Sequence, residues 1–438
     1  MPRGLHLASC YLPNDRFVDA FFTDLASGLA RLGQEILLLP TYEAGIDGIQ
    51  HVRISYDLAG YTELTHARAG PASGLLPDAF GDLEAAWSHR QIGAADMAEG
   101  IGACAAFFAR LLDEMEPDSV SVWNPAVPQG RLLQMACLAR GIPFFGLERG
   151  VFPETIMLES REVGAQADLV LSPALRSVLR DAQPRRDRFE EIRLHYRQRD
   201  FSRYPMSPAR GRSEFRRETG IPEGARLVVL VLSGAAGHWA PRSMHGSRFS
   251  SPWFESAQEA TDALLEALPD DVWLAVQDHP VDFGRWSPKP HPRLRHVHRV
   301  HLQTLFDAAD VLAFLGATTV QHEALLAAKP LVLLSRSQLS GYGLAYEHRG
   351  GDLAELLDRA LRHEARATHA EAATRYVPFL FDHLLFGPPG GPARQVPADL
   401  ARHLAGLEAA HCASADLRIE RWLNRAAADL ALEPEAAA

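Results

Sequence analysis

The chain has 438 residues, which is too long for one ordinary hydrophobic core and suits two domains. Hydrophobic residues make up 47% of it and charged residues 23%, a composition typical of a globular protein rather than a disordered chain. The formal net charge of -11 argues against nucleic acid as the main partner, because a protein that binds a duplex presents a dominant basic surface.

Cysteine usage and hydropathy set further limits. The four cysteines lie far apart without paired spacing, so neither a disulfide framework nor a thiolate zinc site is indicated. No apolar run approaches the length of a membrane span, and the first residues lack the apolar core of a signal peptide. We therefore expect a cytoplasmic protein.

The N-terminal part alternates predicted strands and helices. Its first elements are a strand at 5–8, a helix with apolar residues at helical spacing from 18 to 32, and a strand at 35–40. This βαβ unit predicts a parallel sheet. The next predicted elements are a helix at 95–115, a strand at 119–123, a helix at 130–140 and strands at 143–147 and 168–171. Together they predict a Rossmann-like domain over residues 1–184.

Residues 185–217 are rich in arginine, with eleven Arg and five acidic residues. The segment fits a solvated linker, and it also fits attraction to an anionic membrane surface or an acidic acceptor. A second Rossmann-like domain is predicted over 218–373, and a helical tail over 374–438. The strands of this second domain are predicted at 227–232, 272–276, 310–315 and 330–334, with a helix at 353–362. The predicted fold class is α/β, with two Rossmann-like domains facing across a cleft.

Two short polar segments of the second domain follow predicted strands. They are Gln277-Asp278-His279-Pro280 and Gly316-Ala317-Thr318-Thr319, and the latter opens a predicted helix at 320–328. Ligands bind open α/β sheets at the carboxyl ends of strands. Free N–H groups at the helix start, the two hydroxyls and the His279 imidazole on the neighbouring strand end would bind a phosphate, and Glu323 would contact ribose hydroxyls. Alone, His-Pro is an ordinary strand end and Thr-Thr an ordinary helix cap. In combination they predict a nucleotide-sugar site.

At these residues the sequence resembles bacterial capsule polysaccharide synthesis glycosyltransferases, including the retaining β-Kdo transferases that use CMP-Kdo. The resemblance covers about residues 120–335. It rests on Glu148-Arg149-Gly150-Val151-Phe152-Pro153, on the His-Pro pair, and on the Gly316–Glu323 segment continued to Lys329-Pro330. His-Pro and a Ser/Thr pair also occur in bacterial sialyltransferases and in teichoic acid polyol-phosphate transferases, so that relationship stays open.

The resemblance implies the GT-B fold, a CMP-linked donor in the second domain and an acceptor bound by the first. It implies that His279, Thr318 and Thr319 contact the phosphate, with Glu323 on the ribose and Glu148 as acid/base toward the acceptor. Glu148 and Arg149 also fit a plain ion pair at a turn. The full set of predicted site residues is catalytic Glu148 and His279, acceptor-side Asn124 and Arg149, and donor-binding Ser233, Gly234, His238, His279, Pro280, Gly316, Thr318, Thr319 and Glu323.

One segment departs from the family pattern. An Asp nucleophile is expected shortly after the first strand of the second domain, where this chain has Ser233-Gly234-Ala235-Ala236-Gly237-His238. Ser233 and Gly234 instead suggest N–H groups around a phosphate, and His238 is a polar candidate of unknown role. A different sugar, an inverting route and a lost activity all stay open.

No metal or other cofactor is predicted. His296 and His298 share one face of a short strand near His291 and His301, but no acidic or Cys partner shares their spacing. The leading hypothesis is transfer of Kdo or a related acidic sugar from a CMP-linked donor to a surface polysaccharide or glycolipid, with peripheral contact to the inner membrane. The alternatives are a CDP-polyol phosphotransferase and an inactive relative that binds nucleotide or glycan.

Overall fold

The computed structural model describes residues 4–10, 16–40, 46, 48–51, 54, 94–123, 128–159, 168–197, 206–233, 253–254, 256–280, 286–316 and 318–404. The strands are β1 Gly4–Cys10, β2 Gln34–Pro40, β3 Gln50–His51, β4 Ser119–Trp123, β5 Phe144–Arg149, β6 Ile156–Glu159, β7 Arg226–Leu232, β8 Val272–Gln277, β9 Leu294–Val297, β10 Val311–Leu315, β11 Leu331–Leu333, β12 Tyr346–Glu347, β13 Leu385–Gly387 and β14 Arg394–Gln395.

The α-helices are α1 Arg16–Arg31, α2 Ala94–Met115, α3 Pro128–Arg140, α4 Asp168–Leu171, α5 Pro173–Asp181, α6 Arg186–Arg197, α7 Arg212–Thr219, α8 Ala257–Ala267, α9 Leu302–Ala308, α10 Val320–Leu326, α11 Leu353–Leu361, α12 Arg366–Phe379 and α13 Ala401–Leu404. Two π-helical turns lie at Leu380–Leu384 and Val396–Leu400. The α/β class predicted from the sequence is confirmed.

The chain forms two compact units, one made of residues 1–163 with 380–438 and the other of residues 164–379. These boundaries differ from those at 184 and 373 that the sequence suggested. The predicted strand at 168–171 is wrong, because this stretch is helix α4, and Leu169 and Val170 in it are buried. A short apolar run has no periodicity that separates a strand from a buried helical turn.

The first unit contains an eight-stranded sheet in the order β14-β13-β6-β5-β4-β1-β2-β3. Strands β1 and β2 pair in parallel around α1, which confirms the opening βαβ unit. Strand β6 is antiparallel to both β5 and β13. The described part of the expected helical tail therefore contains two strands that extend this sheet, and buried Leu385 and Phe386 anchor them.

The second unit contains a six-stranded parallel sheet in the order β12-β11-β10-β7-β8-β9. The first strand of the unit, β7, lies in the middle, so the order reverses between β7 and β10 as in a doubly wound Rossmann sheet. Residues 227–232 of β7 are all buried, as expected for a parallel strand covered on both faces. Apolar side chains from β7, β8, β10 and the helices α8 and α11 form one core cluster.

The Arg-rich segment is not an open linker where the structure describes it, because it contains α6 and α7. Arg193 pairs with Glu190, and Arg212 pairs with Asp310. The guanidinium of Arg216 is fully buried and donates to three backbone carbonyls, at 2.7, 3.0 and 2.7 Å. Much of the local positive charge thus has a structural partner. Among the helices that the structure describes, none combines the length and the apolar character that a bilayer span requires.

Candidate functional site

The predicted donor residues of the second unit follow the carboxyl ends of three parallel strands. The last register pairs are Val231 with Gln277 and Leu232 with Leu315. Residues 233, 279 and 316 therefore leave the sheet at nearly the same level of one edge. This edge includes the point where the strand order reverses, which is where open α/β sheets bind ligands.

The strand order corrects one expectation about this edge. His279 follows β8 and Gly316 follows β10, but β7 lies between these strands, so their ends are not neighbours. Two strand spacings separate them by about 10 Å. The reason is the doubly wound order, which places the first strand of the unit at the centre of the sheet. Ser233 at the end of β7 is therefore the central residue of the edge.

Ser233 is buried, with 5% of its surface exposed. Its backbone N–H donates to the carbonyl of Leu315 at 3.1 Å, which ties the end of β7 to the end of β10. Its hydroxyl has no hydrogen-bond partner among the described residues. Buried polar atoms nearly always form a hydrogen bond, and a ligand oxygen at the sheet edge would accept one from this hydroxyl. Gly234 and His238 lie outside the described residues.

A glycine turn follows β10. Gly316 has a φ of +87°, in the left-handed region that favours glycine. Its N–H donates to the hydroxyl of Ser335 at 2.6 Å, and its carbonyl accepts from the side-chain amide of Gln321 at 3.0 Å. Neither Ser335 nor Gln321 was predicted from the sequence. Ser335 could have been predicted as a site residue, because it also follows a strand of the same sheet, β11.

The start of α10 differs from the expected anion site of free N–H groups. The N–H of Val320 donates weakly to the hydroxyl of Thr318, at 3.4 Å, and the N–H groups of Gln321 and His322 donate to the carbonyls of Thr318 and Thr319. The helix has seven residues, too few for a strong dipole. The exposed Thr319 makes no side-chain cap bond. Hydroxyl groups, rather than helix N–H groups, are therefore what this turn offers a ligand.

Glu323 lies in the first turn of α10 and is half-buried. Beside it on the same helix, the imidazole of His322 is fully buried and lies 3.2 Å from the hydroxyl of Tyr376. That hydroxyl donates to the carbonyl of Gln338 at 2.9 Å, so His322 carries its proton on Nε2. Burial lowers the pKa of His322 to about 3. A neutral histidine therefore anchors α10 behind the predicted ribose contact.

His279 and Pro280 follow β8 after one intervening residue, Asp278, and are half-buried. The start of their loop is fixed by Gln277, whose side chain donates to the carbonyl of Val300 at 3.2 Å and accepts from its N–H at 3.4 Å. Gln277 thus has a structural role. Asp278, between Gln277 and His279, is buried and faces the neighbouring strand β9 rather than solvent.

Asp278 is the acidic partner that the histidine pair was expected to lack. Its Oδ1 lies 2.8 Å from Nε2 of His296, and its Oδ2 lies 3.1 Å from Nδ1 of His298. Sequence spacing could not show this, because the carboxylate and His296 are 18 residues apart and meet only through strand pairing. The other two histidines have local roles, since His291 and His301 accept backbone N–H bonds from residues two positions later.

In the first unit, Glu148 and Arg149 are the last two residues of β5 and are half-buried. The carboxylate of Glu148 accepts the backbone N–H of Arg149 at 2.8 Å, and the Arg149 guanidinium lies 4.7 Å from the centre of the Phe17 ring. A tight turn follows, in which a Cβ on Gly150 would lie 1.9 Å from the hydroxyl of Thr155. Glycine is therefore required there. Asn124 lies outside the described residues.

Lys329, part of the family resemblance, lies at the opposite edge of the second sheet. Its ammonium donates at 2.9 Å to the carbonyl of Ala309, which precedes β10. Desolvation lowers its pKa, and the nearby carboxylates of Asp310 and Asp307 oppose that effect. Lys329 is thus a structural residue and not a donor ligand.

No family model matches the sequence, and no curated protein matches it. Among solved structures, the glycosyltransferase SnogD from Streptomyces nogalater is 15% identical, with 92% of this chain and 99% of that chain covered and a TM-score of 0.35. A glycosyltransferase from Rickettsia africae is 10% identical, with 86% and 97% covered and a TM-score of 0.35. An E. coli structure described as trehalose-6-phosphate bound with UDP-2-fluoro glucose is 13% identical, with 84% and 94% covered and a TM-score of 0.40.

Proposed function

We propose that this chain is a glycosyltransferase that binds a nucleotide-sugar donor at the carboxyl edge of the second unit's sheet. The observation that carries the proposal is the alignment of Ser233, His279 and Gly316 at the ends of three central strands, on both sides of the reversal in strand order. Each strand end offers hydrogen-bonding groups suited to an anion. No Walker-type loop is needed for such a phosphate site.

In this proposal the donor phosphate lies over the end of β7. The buried hydroxyl of Ser233 would donate to a phosphate oxygen, the hydroxyls of Thr318 and Thr319 would bind from the β10 side, and His279 would bind from the β8 side, where it would also assist departure of the nucleotide. A hydrogen bond to a charged group contributes about 1.5–3 kcal/mol. Glu323 would bind the ribose, one helical turn beyond the threonines.

The finer part of the proposal concerns the substrates. The resemblance to capsule glycosyltransferases favours a CMP-linked donor carrying Kdo or a related acidic sugar, and a surface polysaccharide or glycolipid as acceptor. Glu148 would act as acid/base toward the acceptor, with Arg149 and Asn124 on the same side. We expect the donor phosphate to be bound without a metal ion.

A CDP-polyol phosphotransferase is the second candidate. It is favoured by one observation, the lack of a carboxylate in the segment Ser233–His238, where the resemblance to the β-Kdo enzymes leads us to expect an Asp nucleophile. A phosphoryl transfer needs no such nucleophile, because the acceptor attacks phosphorus directly. An inactive relative that binds nucleotide or glycan is the third candidate, for the same reason.

Cytoplasmic location with peripheral contact to the inner membrane stays a prediction. The Arg-rich segment would make that contact, and ion pairs already engage some of its arginines, such as Arg193 and Arg212. Any attraction to anionic lipid would therefore depend on the remaining basic residues.

The test is a thermal-shift screen of the full chain against CMP, CDP, UDP and GDP, followed by product analysis with the donor class that binds. A nucleotide at a hundred times its dissociation constant adds about 2.7 kcal/mol of stability. The CMP-sugar proposal expects the largest shift with CMP and a glycosidic product with released CMP. A phosphodiester in the product would favour the polyol transferase. No shift with any nucleotide would refute the donor site.

A further inference from the structure

A cluster of three potential metal ligands lies at the β8–β9 edge of the second sheet: Asp278, His296 and His298. It is the one group of three or more His, Cys, Asp or Glu side chains with that geometry among the described residues. One ligand atom from each residue lies within 4.8 Å of those of the other two. Two imidazoles and a carboxylate form a donor set typical of zinc and related transition-metal ions.

Strand pairing brings these residues together. The last register pairs between β8 and β9 are Val276 with His296 and Gln277 with Val297, so Asp278 and His298 follow at the same level. Residues two apart on a strand share a face, and this holds for His296 and His298. Their rings are 4.1 Å apart, and the Trp286 ring lies edge-on to His296 at 5.6 Å. The ligands are therefore positioned by strand pairing at a partly apolar sheet edge.

The carboxylate of Asp278 is the observation that points to a ligand. The side chain is 6% exposed, and within the described part of the chain its Oδ2 makes no hydrogen bond, although Nδ1 of His298 lies 3.1 Å away. A buried carboxylate oxygen without a partner is costly. Three N or O ligands about 2.0–2.1 Å from a tetrahedral zinc ion lie about 3.3 Å from one another. The observed separations of 2.8 and 3.1 Å from the carboxylate approach that value.

We propose that Asp278, His296 and His298 form a binding site for a divalent transition-metal ion, with zinc as the reference ion and a fourth position open to water or a ligand oxygen. A neutral imidazole binds a metal through its unprotonated nitrogen, so in the metal-bound site His296 and His298 would carry their N–H on the ring nitrogen that faces away from Asp278. Because His298 is exposed, the ion has a route from solvent. None of the three ligands is among the proposed donor contacts, although Asp278 directly precedes His279, and the existence of the metal site does not depend on the proposed function.

The test uses the tag-free full chain, stripped with a chelator and titrated with Zn²⁺ and with Co²⁺, whose visible absorption reports tetrahedral coordination. Two conservative variants, His296→Gln and His298→Asn, keep an N–H donor near the ring nitrogen that faces Asp278 but are poor ligands for zinc. His291→Asn is the matched control, because it removes a histidine of the same segment outside the cluster and keeps an acceptor for the N–H of Arg293.

We expect the wild-type chain and His291→Asn to bind about one ion with a tetrahedral Co²⁺ spectrum. Each cluster variant should raise the dissociation constant by a factor of at least 10 to 100. Mg²⁺ should not compete, because it prefers an all-oxygen octahedral site. Two results would overturn the proposal: the wild type binds no zinc, or the cluster variants bind zinc as tightly as the wild type while their circular dichroism matches it. Asp278, His296 and His298 would then form only a hydrogen-bonded cluster. If one of these variants does not fold, Asp278→Asn takes its place, and the proposal requires the same loss of zinc affinity in that variant.

Discussion

His322 provides a test of how the second unit responds to acid. Its imidazole is fully buried on α10, and burial lowers its pKa to about 3 in the folded chain. The neutral ring lies beside the Tyr376 hydroxyl, so protonation would place a charge in the core. Replacing His322 by Gln keeps an N–H donor near that hydroxyl and removes the titration.

The size of the expected loss of stability follows from the difference between the pKa of His322 in the folded chain and its pKa in the unfolded chain. The unfolded histidine titrates near pH 6.5, so between pH 6.5 and pH 3 the unfolded chain binds more protons than the folded one. The stability that the neutral ring contributes is complete above about pH 6.5 and is lost as the pH falls, by about 1.4 kcal/mol per pH unit. At pH 5.0 the loss from this one residue is about 2 kcal/mol.

Thermal unfolding of the wild type and of His322→Gln at pH 7.5 and pH 5.0 measures the pH-dependent stability that His322 contributes. The variant loses packing and melts earlier at pH 7.5, but the gap between the two midpoints should shrink by about 4–8 °C at pH 5.0 for a unit of this size. His6 is a second buried histidine with a pKa of about 3, and its contribution cancels because both proteins contain it. A gap that stays constant between the two pH values would refute the reasoning.

Four further substitutions test the site and the fold. His279→Ala should weaken nucleotide binding by about 1.5–3 kcal/mol in isothermal titration without unfolding the chain, and unchanged affinity would remove His279 from the site. Ser233→Ala should raise the donor dissociation constant before it lowers turnover, and a loss of turnover at unchanged affinity would contradict the phosphate contact. Glu148→Gln should lower turnover by a factor on the order of 10² to 10⁴ with nucleotide binding retained, whereas near wild-type turnover would make Glu148 structural. Arg216→Met should cost about 3–5 kcal/mol in urea unfolding, because three backbone carbonyls lose their donor and Asp310 loses one of its two arginine partners, while a change at exposed Arg217 should stay within about 0.5 kcal/mol.

Periodicity and strand-end patterns predicted the regular part of this protein. The buried run at 227–232, the amphipathic helix over 16–31 and the strand ends before His279 and Gly316 are all where the sequence indicated. These features are local, since a strand covered on both faces must be apolar along its length and a helix must repeat every 3.6 residues. The short helix at 168–171 was wrongly predicted as a strand, and the short strand at 385–387 was not predicted, because both are too short to show a period.

Sequence by itself determined which residues end the strands of the second sheet, and therefore which residues lie at its carboxyl edge. Only the tertiary structure decided their order across that edge, because strand order depends on crossover connections and not on any local pattern. It placed β7 between β8 and β10, which makes Ser233 central and separates His279 from Gly316. The same long-range pairing of β8 with β9 brought Asp278 to His296 and His298, a contact that no spacing along the chain encodes.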